Sequence, residues 1–351
     1  MDEFTETTRE GWFSRIVGSI KSELIGHVLL VVSFPLLWWN EGRAVQTAKS
    51  LEEGAGQVVS VSPEKVDARN DGKLVHLSAL AQSSDLLKDS DFGVEHRGIK
   101  LLRSVEMYQW IESKETEKKK KVGGSEETKT TYSYETSWSS SHHDAKEFRQ
   151  PQGHENPPMQ YQDVTRYAQN VAVGAFTLPA EMIARIEGET PLPFDDAALG
   201  RLTPALAGKT RVHDGGFYFR PSATDAQLDL AEPRVGDHRI RFAAIASQDL
   251  SLIAMQSGSS FAPFQTKAGD ALSMVKTGRH SATDMFTAAE EANSTLTWIL
   301  RGVGFLLMAI GIGMVFRPLA VVADVIPLFG ELLRVGVFFL AMALAAPLSL
   351  L

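Results

Sequence analysis

The stretch LLVVSFPLLWWNEGRAV, residues 29–45, sets the class of this chain. An apolar run closes on Trp38 and Trp39, and Asn40, Glu41, Gly42 and Arg43 follow with no spacer. Tryptophan rings favour the headgroup level of a bilayer, so the charges begin where water begins. From Ile25 to Trp39 only His27 and Ser33 interrupt the run. Counting back through Leu24 and Ile20 brings it near the roughly 20 residues that a spanning helix needs. Two further segments behave alike. One lies between Trp298 and Val315 and contains GVGFLLMAIGIGMV; the other is VGVFFLAMALAAPLSLL, residues 335–351. A buried core helix would explain any one of them, but three together, two with tryptophan at an edge, read as membrane spans.

The bulk composition narrows the rest. The net charge is −8 and no basic stripe occurs, so a nucleic-acid partner is not expected. The 351 residues include no cysteine, which removes disulfides, zinc–thiolate sites and cysteine nucleophiles. The first span is expected to be an uncleaved anchor rather than a cleaved signal. Asp2, Glu3, Glu6, Glu10 and Glu23 make its flank acidic, and Trp38 and Trp39 stand where small residues would be needed for cleavage.

The expected order runs as follows. Residues 1–24 form an interfacial segment in which Trp12, Phe13, Ile16, Val17, Ile20 and Leu24 share one helical face. Residues 25–40 form the first span, 41–297 a β-rich domain, and 298–317 the second span. Residues 318–334 are an interfacial or re-entrant connection, and 335–351 the third span. Within the domain, KLVHLSAL, IKLLRSVEMYQWIE, QNVAVGAFTL, GGFYFRP, HRIRFAAIA and LSLIAMQ read as strands, and PAEMIARIEG as a short helix. TTYSYETSW alternates with period two, placing Tyr132, Tyr134, Thr136 and Trp138 on one face. Between two of these strands, SKETEKKKKVGGSEETK reads as a solvated hairpin tip. Ser281, with Asp284 three residues on, marks a helix start that runs toward the second span.

The membrane boundary supplies the candidate site. Trp38, Trp39, Asn40, Glu41 and Arg43 at the first span, with Trp298, Arg301 and Arg317 bounding the second, are the expected interface residues. Glu41 and Arg43 are expected to tie the first span to the domain. Asp237, Asp270 and Asp324 are further polar candidates. Asp214, Asp237 and Asp270 each adjoin a glycine, which turn chemistry explains as well as catalysis does. His142, His143, Asp144, His154 and Glu155 lack the spacing of a metal site. The sequon at Asn293 lies too near the second span for easy use. No metal or other cofactor is expected, and no nucleophile elbow, metalloprotease or phosphate-loop motif occurs.

NEGRAVQTAKSLEEG (40–54), LVHLSAL (74–80), VEMYQWIE (105–112), YSYETSW (132–138), VGDHRIRF (235–242), PFQTKAGDAL (263–272) and NSTLTWILRGVGFLLMAIG (293–311) occur in this order. In these segments the sequence resembles the transmembrane protein 43 (LUMA) family. The resemblance implies a cytoplasmic N-terminus, a luminal or extracytoplasmic domain and a cluster of C-terminal spans. It further implies the endoplasmic reticulum and inner nuclear membrane in eukaryotic members, and a role in membrane organisation and scaffolding. Family members often carry four spans, so a bacterial-type or C-terminally shortened member is expected.

The fold class expected is therefore an α+β membrane protein, with a β-rich extracytoplasmic domain inserted between an N-terminal transmembrane helix and a C-terminal helical cluster. The leading functional expectation is a non-enzymatic membrane organiser. Its expected partners are membrane lipids, other membrane proteins and further copies of itself, in a bacterial inner membrane or the eukaryotic membranes named above. The alternatives are an interfacial enzyme acting on lipid or protein through Glu41, Arg43, Asp237 and Asp270, and an oligomeric solute channel lined by Arg301 or Asp324.

Overall fold

One helix carries the whole N-terminal apolar run and continues well past it. The computed structural model describes residues 2–222 and 232–350. In it, strand β1 (Asp2–Glu10) leads into α1 (Trp12–Gln57), an unbroken helix of 46 residues. The expected separate interfacial segment is therefore the first part of the spanning helix. No stop signal separates the two sequence patterns. Pro35 lies inside the helix, where neighbouring elements can satisfy the backbone that a proline frees. Arg15, Ser19, Ser22, Gly26, Ser33, Leu37 and Asn40 are buried along α1, at intervals of three, four or seven. Large apolar side chains such as Val17, Leu24, Val28, Val31 and Phe34 face outward. The helix thus packs through its small and polar residues and exposes its apolar ones, as membrane helices do.

The remaining main elements are β2 (Leu74–Gln82), β3 (Lys100–Lys120), β4 (Glu126–Ser139), β5 (Thr210–His213), β6 (Gly216–Phe219), β7 (His238–Ile245), β8 (Ser247–Ser257), β9 (Ser260–Ala262) and β10 (Met274–Thr277). Helices α2 (Ala282–Val315), α3 (Arg317–Ala323) and α4 (Pro327–Leu350) follow. Three helices, within α1, α2 and α4, are long and apolar enough to cross a membrane, and they flank the β-rich middle. The chain is thus an α+β membrane protein. The helix that carries the third span starts at Pro327, where proline suits the first turn, and its span-forming stretch runs from Phe329 to Leu348, starting earlier than the apolar run suggested. Leu351, the last residue of that run, lies outside the described residues.

The chain forms two compact units. The first comprises Met1–Asp2, Glu52–Glu112 and Tyr134–Phe286; the second comprises Glu3–Leu51, Ser113–Ser133 and Thr287–Leu351. In the first unit, β4, β3, β7, β6 and β5 lie side by side in one sheet. A second sheet is centred on β8, which pairs antiparallel with β2 from Ser247↔Gln82 to Met255↔Leu74 and also holds β9 and β10. Strict alternation points Leu77, Ala79, Leu250 and Leu252 of the second sheet into the same core as Leu101, Val105, Ile240 and Phe242 of the first. The Asp214–Gly215 turn between β5 and β6 has positive φ at both residues, 50° and 70°, as a tight hairpin requires. QNVAVGAFTL is not one strand. It folds back at Gly174 into the short pairs Ala172–Val173 and Phe176–Thr177.

The second unit draws on three stretches of the chain. It includes residues 41–51, which continue α1, and the outer halves of β3 and β4, which continue the hairpin. There β1 lies along the edge of β4, with Arg9 on Glu127 at 2.9 Å and Phe4 against Tyr132. The hairpin tip is not a free solvated projection. Gly123 donates its N–H to the Val325 carbonyl at 3.2 Å, and Gly124 closes on the Trp12 indole so tightly that a side chain there would overlap it. The tip therefore sits at the N-terminal end of α1. The lysines that suggested solvent exposure include one, Lys120, that reaches a buried carboxylate.

Candidate functional site

The expected boundary residues other than Arg317 converge at one end of an antiparallel α1–α2 pair. Glu41 accepts hydrogen bonds from both Arg301 Nε at 2.7 Å and Nη2 at 2.8 Å, a bidentate fork. Arg43 donates to Asn293 Oδ1 at 2.8 Å and to Thr297 Oγ1 at 2.9 Å. Asn40 is buried and donates to the Thr297 carbonyl at 3.1 Å, while Asn293 Nδ2 returns a bond to the Ala44 carbonyl at 3.0 Å. The Arg301 guanidinium lies 4.8 Å from the Trp298 ring centroid. Trp38, Trp39 and Trp298 remain 82%, 58% and 57% exposed, a girdle at the level of these charges.

Glu41 and Arg43 thus grip α2, Arg43 through Asn293 and Thr297 at the end of the expected 41–297 domain and Glu41 through Arg301 of the second span. Asn293 and Thr297 were missed as members of the cluster. Their signal was present, because 293, 297 and 301 repeat at four and share one helical face. Asn293 was noted only as the head of a sequon. Both of its side-chain polar atoms are bonded here, so a glycan would have to displace them.

Toward the middle of the pair the backbones nearly touch. A Cβ built on Gly26 would lie 2.7 Å from the Gly311 carbonyl oxygen, and one on Gly311 would lie 2.9 Å from that of Gly26. At the other end Arg317 donates to Ser22 Oγ at 3.1 Å.

A second polar layer lies at that end. Asp324 is fully buried between Arg15 Nη2 at 2.6 Å and Arg334 Nη2 at 2.6 Å, with Lys120 Nζ at 3.9 Å. Arg15 also donates to the Gly124 carbonyl and meets Glu126 at 3.4 Å, and Lys120 meets Glu331 at 3.6 Å. Burial and then the Arg334 charge hold the Lys120 ammonium below its usual pKa. Asp324 was a candidate for ion handling; its carboxylate instead fastens α1, the hairpin tip and α4 together. The 27 residues of α1 from Arg15 to Glu41 put about 39 Å between the two polar layers.

The candidate aspartates of the first unit have partners of their own. Asp237 is buried and accepts Arg220 Nε at 2.9 Å and Nη2 at 2.7 Å, the Arg234 backbone N–H at 2.8 Å and the Tyr218 hydroxyl. Burial, and then this carboxylate, push the Tyr218 phenol above its ordinary pKa. Asp270 contributes its carbonyl to the turn with Thr266, whose N–H and hydroxyl donate at 3.0 and 2.8 Å. Asp214 pairs with Arg241 at 3.1 Å. His154 stacks on Tyr134 at 4.0 Å, and His143 bonds Ser139 at 3.2 Å. Among the described residues no group of three or more metal-ligating side chains comes together.

The transmembrane protein 43 family model matches residues 107–351. The rat (Rattus norvegicus) transmembrane protein 43 is 33% identical over 359 residues, covering 99% of this chain and 86% of its own. This chain belongs to the transmembrane protein 43 family. The human (Homo sapiens) transmembrane protein 43 is 32% identical over 98% of this chain and 86% of its own, and the Drosophila melanogaster homolog 29% over 89% and 79%. No solved structure matches the chain. The match to the transmembrane protein 43 family model begins within β3, so the hairpin, β7, β8 and the C-terminal helices all fall inside it. The polar layer at Glu41 draws one half from that region and the other from α1.

Proposed function

We propose that this integral membrane protein of the transmembrane protein 43 family is a non-enzymatic organiser of its membrane, gathering lipids and partner proteins around a rigid helical frame. The carrying observation is the engagement of its polar residues. Glu41, Arg43, Asp237 and Asp324 are each bonded to other protein groups, in arrangements that brace helices or sheet edges. A general acid or base needs a side chain that can reach a substrate proton, and these are held by cationic or amide partners. The outer faces of α1, α2 and α4, by contrast, offer broad apolar surface to lipid and to neighbouring spans.

On this reading the protein works in the inner membrane of a bacterium, or in the endoplasmic reticulum and inner nuclear membrane of a eukaryote, and its copies associate. Gentle detergent extraction, followed by identification of co-purifying proteins and lipids, tests it. Defined partners retained through size-exclusion chromatography are the expected result. A monomer that carries neither protein nor lipid above the level of an unrelated three-span protein would overturn it.

A further inference from the structure

Beside the Asp324 layer, the helical unit contains a cavity of about 650 Å³. Its two ends differ in chemistry. One is lined by Arg15, Lys118, Lys120, Arg317 and Arg334, with Glu126. The other is an apolar trough between α2 and α4, walled by Leu306, Ile310, Phe316, Val337, Phe338 and Met342. Leu306, Ile310 and Phe338 are more than half exposed, so the trough opens on the apolar outer surface of the helices.

The charges do not balance. Glu126, Asp324 and Glu331 are the carboxylates within ion-pair distance of those five cations among the described residues. Five cations against three carboxylates leave two positive charges. One excess cation is identifiable: Arg317 has no carboxylate within ion-pair distance among the described residues and donates only to the Ser22 hydroxyl. The Arg334 Nε, a buried donor, has no acceptor. From Phe316 back to Leu306 the trough extends about 15 Å along α2, half of a hydrocarbon core of roughly 30 Å. That depth is one leaflet.

We propose that this cavity binds one anionic phospholipid, with its phosphate between Arg317 and Arg334 and an acyl chain laid in the trough between α2 and α4. An arginine fork matches phosphate oxygens in bidentate geometry, and a site at the edge of the low-dielectric slab strengthens the pairing. A soluble anion would satisfy the cations but leave the trough empty. A zwitterionic lipid would fill the trough but bring no net charge to the excess cations. The site rests on the membrane-organising reading above and names the lipid class within it.

The structure supplies a position at which a side chain can be added to the cavity wall. Gly313 lines the cavity, and a Cβ there would meet nothing within 4 Å. The test uses the full-length protein, delipidated in detergent and titrated with phosphatidylglycerol or phosphatidylcholine of the same chains, with thermal stability and native mass spectrometry as readouts. Wild type is expected to bind phosphatidylglycerol about tenfold more tightly. Arg317→Gln should reduce that preference to within about twofold while retaining chain binding, and Gly313→Leu should lose both lipids at an unchanged lipid-free melting temperature. Equal affinity of wild type for the two lipids would overturn the proposal. So would an undiminished preference in both variants, or displacement of the lipid by millimolar inorganic phosphate. Co-purification of partner proteins by wild type is read separately: partners retained while the two lipids bind equally would remove this site and leave the organising role standing.

Discussion

Replacing Gly26 by alanine perturbs the closest approach in the helical unit. The added methyl would lie 2.7 Å from the Gly311 oxygen, 2.8 Å from Met314 Cβ and 2.9 Å from the Val315 nitrogen. Favourable contact begins near 3.5 Å, so α1 and α2 must part by roughly 0.7 Å. Overpacking of this kind costs about 1–3 kcal/mol. Alanine also improves helix propensity by about 1 kcal/mol, which would mask part of the loss. Gly18 provides the control, because it lies on the same helix and a Cβ there meets nothing within 4 Å. The propensity gain is common to Gly18→Ala and Gly26→Ala, so their difference isolates the clash. That difference should be about 1–3 kcal/mol, or roughly 5- to 150-fold in the folding equilibrium. Unfolding in mixed micelles, followed by intrinsic tryptophan fluorescence, measures it. Adding Gly311→Ala should cost less than its single effect, because the helices have already separated. A Gly26→Ala protein as stable as Gly18→Ala would refute the close-packed pair.

Three further outcomes are expected. Asp237→Asn leaves Arg220 buried without its carboxylate and should destabilise the soluble unit by about 3–5 kcal/mol in denaturant unfolding of the full chain; a loss below about 1 kcal/mol would count against the buried network. Burial holds His238 below its usual pKa, so the unfolded chain takes up a proton first as pH falls through about 6.5. Stability should therefore drop on acidification from pH 7 to 5, by at most about 1.4 kcal/mol per pH unit for this one site. His238→Gln should flatten that slope to what His96, also held low by burial, still contributes; identical slopes would reject the assignment. Finally, the chain has no cysteine, so single cysteines report topology cleanly. Gly11→Cys and Val122→Cys should react with an impermeant thiol reagent from the same side of the membrane, because the tip packs at Trp12; labelling from opposite sides would contradict the hairpin's position.

The local sequence carried the class of the protein. Hydrophobic run length and the flanking tryptophans marked three spans, since a bilayer demands about 20 apolar residues whatever they pack against. Period-two alternation marked β2 and β4, because a sheet with one buried face imposes it on each strand separately, and apolar runs bounded by turn residues marked β3, β7 and β8. Ser281 and Asp284 marked the start of α2, and their reciprocal bonds at 3.1 and 3.2 Å form the expected capping box. The tertiary structure decided which polar residues meet. Glu41 and Arg301 lie 260 positions apart, and Arg15 and Asp324 lie 309 apart. No periodicity encodes such pairs. They follow from the register at which α1 slides along α2, and Gly26 against Gly311 fixes that register by steric approach. The hairpin illustrates the same division. Its lysines and glutamates satisfy the composition of a solvated loop, and only the placement of Trp12, Val325 and Asp324 around its tip turns it into part of the helical frame.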